Sequence, residues 1–228
     1  PLTIPLVDES VELISWRLRE PALNGFGLRS IEGVEYLCHG FEPILATSTL
    51  SLGGRHNIAN ALAALALGYA AGLPFAAMRL SLENFHGLPH RCEHIAELDG
   101  VTYVNDSKGT NVGATDAAIR GMGQDHNVIL IAGGQGKGAE FAGLADSVSA
   151  HCKHVVLLGE AAQELRQALQ DSAPVTVVDS MAAAVSAAAD VAAQGDTVLL
   201  SPACASFDMF AGYAQRGEEL SAAVAAMA

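Results

Sequence analysis

The sequence predicts a doubly wound α/β domain with a mostly parallel sheet, entered through an N-terminal hairpin and preceded by a smaller strand-and-helix segment. Three observations carry this. After Arg91, short apolar runs alternate with helical segments, the signature of βαβ units with helices on both sheet faces. The first two of those runs are joined only at Leu98–Gly100, which predicts an antiparallel hairpin. The chain has 228 residues, 50% of them hydrophobic, enough for two small cores.

In order, the first fifty residues read as short strands, LTIPLV, VELISWRL, FGLRSI, VEYLCH and EPILATSTL, divided by Gly, Asn and Pro turn signals. From His56, HNIANALAALALGYAAGL has helical spacing and is stopped by Gly72 and Pro74. A second helix is expected over about Phe75 to Phe85, and a domain boundary near Gly87–Leu88 separates residues 1–87 from 88–228. Beyond it come the strands CEHIAEL, VTYVND, NVILIAG, HVVLLG, PVTVVD and TVLLSPA. Helices are expected near Ala114–Gly121, Ala139–Ala150, Ala161–Gln170, Ser180–Ala193 and Phe207–Met227.

Composition narrows the function. A net charge of −13 argues against a nucleic-acid-binding surface but leaves a nucleotide ligand open. No window reaches the run of about 18 apolar residues that a membrane span needs, and no signal peptide is recognisable. Cys38, Cys92, Cys152 and Cys204 form no C-x-x-C pair, which indicates a reduced, cytoplasmic compartment. His151, Cys152 and His154 match none of the usual zinc spacings, so no metal ligand is assigned. The opening PLTIPLVDES lacks an initiator methionine and reads as cut from something longer.

In an open parallel sheet, ligands bind beyond the carboxyl ends of the strands. Three polar clusters directly follow apolar strands and are expected on one edge: NDSKGTN (Asn105–Asn111), GGQGKG (Gly133–Gly138) and SPACASFD (Ser201–Asp208). GGQGKG looks like a phosphate loop, but Ile131 stands where a Walker loop needs its first glycine and Gly138 where it needs Ser or Thr. A dinucleotide fingerprint fails too, because the next strand ends in Gly159 and not in an acidic ribose ligand.

In NDSKGTN, Asp106 suits a ribose hydroxyl or a magnesium-bound water, Lys108 an anion and Thr110 a carboxylate oxygen. Thr110 or Asn111 equally suits a helix N-cap, and capping leaves Asp106 and Lys108 without a structural reason. Ser206 is expected to precede a helix, where free amides meet an anion or where it caps the helix with Asp208 assisting the dipole. Flanking alanines mark Cys204 as a packing residue. Asn57 and Asn60 share one helical face and either read the edge of a base or cap the turn. Arg91 follows the inferred hinge, within reach of a phosphate.

GRHNIANALAALALGYAAGLP, GLPHR, VNDSKGTNVGAT, IAGGQGKGAEF and LLSPACASFDMF, in this order and spacing, resemble the Mur ligases. NDSK-x-TN and SPACAS-x-D are characteristic of the D-glutamate-adding branch. The resemblance covers nearly all of the chain from about Leu50, and the earlier strands fit the end of that family's central domain. It implies ATP-dependent amide synthesis in peptidoglycan assembly, with ATP and Mg2+ as cofactors. The L-alanine carboxylate of UDP-N-acetylmuramoyl-L-alanine becomes an acyl phosphate, which the amino group of D-glutamate attacks.

By the same resemblance, Asn57 and Asn60 match the family's central-domain contacts to ATP. Arg91 matches its hinge arginine, Asp106 its ribose-binding aspartate, and Lys108 its lysine beside the nucleotide and glutamate sites, assigned as catalytic. Thr110, Lys137, Ser206 and the Phe207–Tyr213 segment match positions that grip the carboxylates of D-glutamate. Phe207 and Tyr213 stand where the best-known relatives have other apolar residues.

The family's UDP-binding domain, P-loop lysine, magnesium ligands and carbamylated lysine have no counterpart here. The expectation is therefore a C-terminal part of such a ligase, inactive alone. Residues 1–87 would be the tail of the central ATP-binding domain and 88–228 a Rossmann-like D-glutamate and nucleotide domain. A cytoplasmic monomer without nucleic-acid or membrane partners is expected. Two other classes stay open: a nicotinamide-dependent oxidoreductase, opposed by the failed fingerprint, and a free-standing amino-acid-binding module, opposed by the missing methionine.

Overall fold

Alternating apolar residues between Phe26 and Ala46 produce a three-stranded antiparallel sheet in the computed structural model, which describes residues 13–52 and 54–228. Its strands are β1 (Phe26–Ile31), β2 (Val34–His39) and β3 (Glu42–Ala46). Phe26, Leu28, Leu37 and Leu45 turn to one face and are buried there against Ile58, Leu62, Leu65 and Met78 from two helices. Those helices are α1 (Arg55–Ala70) and α2 (Phe75–Glu83). Gly72, at φ +76°, takes the left-handed conformation just past α1, and Pro74 caps α2. These elements belong to a compact unit ending at His86; a second unit starts at Gly87.

Two strand expectations in this unit change. LTIPLV lies outside the described residues, as do the first two residues of VELISWRL. The rest of VELISWRL makes one isolated bridge, Trp16 to Phe26, because the chain bends at Leu18–Glu20 before Pro21, which has no N–H to offer a ladder. EPILATSTL is a strand only to Ala46. Thr47–Thr49 then form a 3₁₀ turn in which the Thr49 hydroxyl donates to the Ala46 carbonyl at 2.8 Å.

The second unit holds a six-stranded sheet in the order β4-β5-β9-β6-β7-β8. Its strands are β4 (Glu93–Leu98), β5 (Val101–Asn105), β6 (Val128–Gly133), β7 (Cys152–Leu158), β8 (Val175–Val177) and β9 (Thr197–Leu200). The β4–β5 hairpin is antiparallel and every other pairing is parallel. The helices are α3 (Val112–Met122), α4 (Ala145–His151), α5 (Ala162–Leu169), α6 (Met181–Val191) and α7 (Tyr213–Ala225).

Continuous apolar runs are what a sheet covered on both faces requires. In β6, Val128, Leu130 and Ala132 pack with residues of α3, α4 and α5, while Ile129 and Ile131 pack with residues of α6 and α7. The chain steps from β5 through β6 and β7 to β8, then returns as β9 to the slot between β5 and β6. Right-handed crossovers demand that a return step put its helix on the opposite face, which accounts for α6, between β8 and β9, facing away from α3–α5; α7 packs on the same face as α6.

Two helix expectations shorten. Ala139–Ala150 is a 3₁₀ turn at Phe141–Leu144 followed by α4. Phe207–Met227 is helical only from Tyr213. The Asp208 carboxylate accepts the Glu160 N–H at 2.9 Å, beyond β7, which holds the chain after β9 in turns instead of letting it coil.

Candidate functional site

Insertion of β9 between β5 and β6 brings the three polar clusters to neighbouring strand ends. Backbone bonds then join them: Ala203 N–H to Gly109 O at 2.9 Å, Gly133 N–H to Pro202 O at 2.9 Å, and a reciprocal pair between Gln135 and Ala205 at 2.8 and 3.1 Å. The edge is one continuous surface made from three loops.

GGQGKG owes its first two glycines to packing. Gly133 (φ +125°) and Gly134 (φ +127°) hold conformations that side chains rarely adopt. A Cβ on the first would run into the Leu158 carbonyl, and one on the second into the Ala205 carbonyl. At the tip Lys137 is left-handed too (φ +50°) and exposed. Its ammonium lies 5.3 Å from the ring centroid of Phe207, and with Gln135, Gly136, Glu160 and Glu164 it lines a polar cavity of about 370 Å³.

In the loop after β5, Lys108 is half-buried and its ammonium sits 4.1 Å from the Tyr213 ring centroid. Tyr213 meets His90 edge-on at 5.7 Å, and the Lys108 N–H donates to the His90 carbonyl at 3.0 Å. Asn111 caps α3, its side chain accepting the Ala114 N–H at 2.9 Å. Thr110, half-buried beside it, is not the capping residue.

Asp106 has a structural reason, contrary to the sequence expectation. It is buried, accepts the Ser201 hydroxyl at 2.7 Å and the Cys92 N–H at 3.3 Å, and so ties β5 to β9 and to the chain entering β4. Burial pushes its pKa above the ordinary 3.8, while the Ser201 and Cys92 hydrogen bonds and the charge of Arg91 pull it back. Arg91 itself is exposed.

Ser206 is 2% exposed and opens a turn, its carbonyl accepting from Met209 N–H at 3.3 Å and Phe210 N–H at 2.9 Å. It does not cap α7, which starts seven residues later, and Asp208 bonds to Glu160 instead of assisting that helix. Phe207 is 65% exposed, a large apolar surface at the rim of the edge. Cys204 is buried and its thiol is pushed up to about 12 by desolvation, so it is no nucleophile.

The edge thus assembles Asp106, Lys108, Thr110, Lys137, Ser206, Phe207 and Tyr213. Asn57 and Asn60 belong to the first unit, where they border a groove of about 330 Å³ walled by Leu50, Leu52, Ala61, Leu82 and Phe85. Asn60 Nδ2 lies 3.5 Å from Asn57 Oδ1. Apolar walls with carboxamides at the border fit the chemistry of a purine ring. Among the described residues, no group of three or more His, Cys, Asp or Glu side chains could hold a metal ion.

One residue of the edge was missed by sequence reasoning. Arg216 of α7 is 1% exposed and donates to Ser107 O (2.9 Å), Cys204 O (3.1 Å), Ala205 O (3.3 Å) and Gly133 O (3.4 Å). Burial lowers its pKa to about 10. The signal was present: Arg216 shares an i, i+4, i+8 stripe with the buried Leu220 and Val224, and an arginine on an apolar stripe calls for buried acceptors.

A family model described as Mur ligase, glutamate ligase domain, matches residues 90–204. A UDP-N-acetylmuramoylalanine--D-glutamate ligase of Pseudomonas syringae pv. syringae is 52% identical over 98% of this chain and 50% of its own length. Proteins of the same name are 47% identical in Pseudomonas aeruginosa (100% of this chain, 51% of the relative) and 50% in Nitrosococcus oceani (96% and 48%). The chain therefore spans about half the length of the curated relatives it matches.

Among solved structures, UDP-N-acetylmuramate-alanine ligase MurC of Thermotoga maritima superposes with a TM-score of 0.62 at 14% identity, over 89% of this chain and 46% of that one. E. coli FolC, solved with DHPP and ADP, gives 0.62 at 18% identity, over 89% and 47%. At such identities these two speak for the fold alone. The matched stretch runs from His90 through the first two loops of the edge and ends within the third at Cys204, and on that match and the close relatives the chain belongs to the Mur ligase family.

Proposed function

We propose that this chain is the C-terminal part of an ATP-dependent ligase that joins D-glutamate to UDP-N-acetylmuramoyl-L-alanine, in the cytoplasm and as a monomer. In that reading residues 1–87 close the ATP-binding domain and residues 88–228 hold the amino acid. ATP supplies the phosphoryl group that activates the L-alanine carboxylate, with Mg2+ ligands coming mostly from outside this chain.

The observation that carries the reading is the edge built by β5, β9 and β6. Two lysines from different loops, Lys108 and Lys137, accompany the hydroxyls of Thr110 and Ser206; neither lysine is among the ion pairs of the described residues, though Glu160 and Glu164 share the cavity of Lys137. A dicarboxylic amino acid asks for this: cations and hydroxyls that fix both carboxylates, so that the amine is held toward the acyl carbon. Lys108, nearest the strand end, also suits charge developing on the transferring phosphoryl group. Asn57 and Asn60 are proposed to read the adenine edge, and Arg91 and Asp106 to face the phosphates and ribose.

The test is phosphate release by the full-length protein supplied with ATP, Mg2+ and UDP-N-acetylmuramoyl-L-alanine. Release is expected to depend on D-glutamate and to fail with L-lysine or D-alanine. Lys137→Ala is expected to raise the KM for D-glutamate. Phosphate release indifferent to D-glutamate would sink the assignment, and an unchanged KM would remove Lys137 from it.

A further inference from the structure

Arg216 is a charged group buried at the centre of the edge that the proposed chemistry does not use. A guanidinium presents its donors as a rigid planar fork, whereas an ammonium is a point charge. Here the fork spans three loops. Nη2 meets the carbonyl of Ser107, the residue before Lys108, and that of Cys204; Nη1 meets Gly133, where GGQGKG begins, and Ala205, the residue before Ser206. Each acceptor lies one to four residues from a side chain of the donor set. The next residue, Gly217, presses on the same strand end, since a Cβ there would meet His90, Asn105 and Ser107. In the other direction Tyr213, one turn before Arg216, carries the ring under Lys108.

We propose that Arg216 is a positioning residue: its guanidinium sets the spacing of the loops that carry Lys108, Lys137 and Ser206, and thereby the fit of the site to a dicarboxylate. The identity of that dicarboxylate rests on the D-glutamate reading above; the mechanical role does not. The first turn of α7 is then the clamp that turns three independent loops into one receptor. With Arg216 only 1% exposed, the four carbonyls supply the hydrogen bonds that solvent would otherwise give, and the Asp208 carboxylate acts on its charge as well.

The decisive variant is Arg216→Lys, which keeps the charge and loses the fork. Amide hydrogen exchange on the variant chain reads the clamp without any ligand. The loop-bridging amides of Gly133, Gln135, Ala203 and Ala205 are expected to exchange about tenfold faster, with Ile129–Ile131 unchanged. Lys153→Met, which breaks the Lys153–Asp196 ion pair (2.7 Å) at the opposite strand ends, is the control for general destabilisation and is expected to leave those four amides alone. In the full-length enzyme, Arg216→Lys is expected to raise the KM for D-glutamate about tenfold, with the KM for ATP unchanged; sub-ångström displacement of binding groups has effects of this order.

Unchanged loop exchange overturns the proposal. So does faster exchange with an unchanged D-glutamate KM, since a merely structural arginine would lower the amount of active enzyme and leave KM where it was. If the parent enzyme shows no D-glutamate dependence, the functional reading fails and the exchange arm alone decides the clamp. Should Arg216→Lys not fold, Arg216→Gln carries the same readout, because it removes the buried charge while keeping two N–H donors.

Discussion

The Ser201 hydroxyl donates to the Asp106 carboxylate at 2.7 Å, a bond between the residues that directly follow two adjacent parallel strands. It couples the stability of the sheet edge to pH. Burial raises the folded pKa of Asp106 above 3.8, so between that value and the raised one the folded state binds more protons than the unfolded state. The contribution of this group is therefore fully favourable below the unfolded pKa and is lost as pH rises through the folded pKa. Asp106→Asn is expected to flatten that fall. Urea unfolding followed by circular dichroism from pH 4 upward checks it, and a slope identical to the parent's would refute it.

Gly134→Ala tests whether the glycines serve packing. A positive φ costs a side-chain-bearing residue on the order of 1 kcal/mol, and the Cβ would also meet the Ala205 carbonyl. Destabilisation of at least about 1 kcal/mol is expected. Gly138→Ala, at φ +75° with open space around it, is expected to cost less. Equal effects would mean that the contact with Ala205 is unimportant.

Tyr213→Leu removes the ring under Lys108 and keeps the apolar bulk. A partly exposed cation–π contact is worth about 0.5–1 kcal/mol, so the KM for D-glutamate is expected to rise about two- to fivefold. Tyr213→Phe keeps the ring and is expected to behave as the parent in the same steady-state assay.

The cysteines are expected to be chemically silent. Cys92, Cys152 and Cys204 have thiols pushed up to about 12, by burial in each case and for Cys92 also by Asp106, and burial raises Cys38. Mass spectrometry after iodoacetamide at neutral pH should find the native chain almost unmodified and the urea-unfolded chain labelled at all four. Rapid native labelling of Cys204 would reopen its assignment as a packing residue.

The sequence by itself determined the element types and the three clusters at strand ends, because local hydrophobic periodicity and glycine or proline punctuation decide those over a few residues. It also carried the family, whose model matches residues 90–204. What the tertiary structure decided was which ends are neighbours. β9 follows β8 by about twenty residues and yet inserts between β5 and β6, and no local pattern encodes that slot. For the same reason Asp106 reads as a free carboxylate until Ser201, ninety-five residues away, is brought beside it. Ser206 reads as a helix cap until Asp208 is seen bonded to Glu160. Arg216 has no role in the sequence reading and gains one when its four acceptors come together from three loops. Burial and hydrogen bonding over long sequence separations are properties of the packed state, and they give these residues their roles.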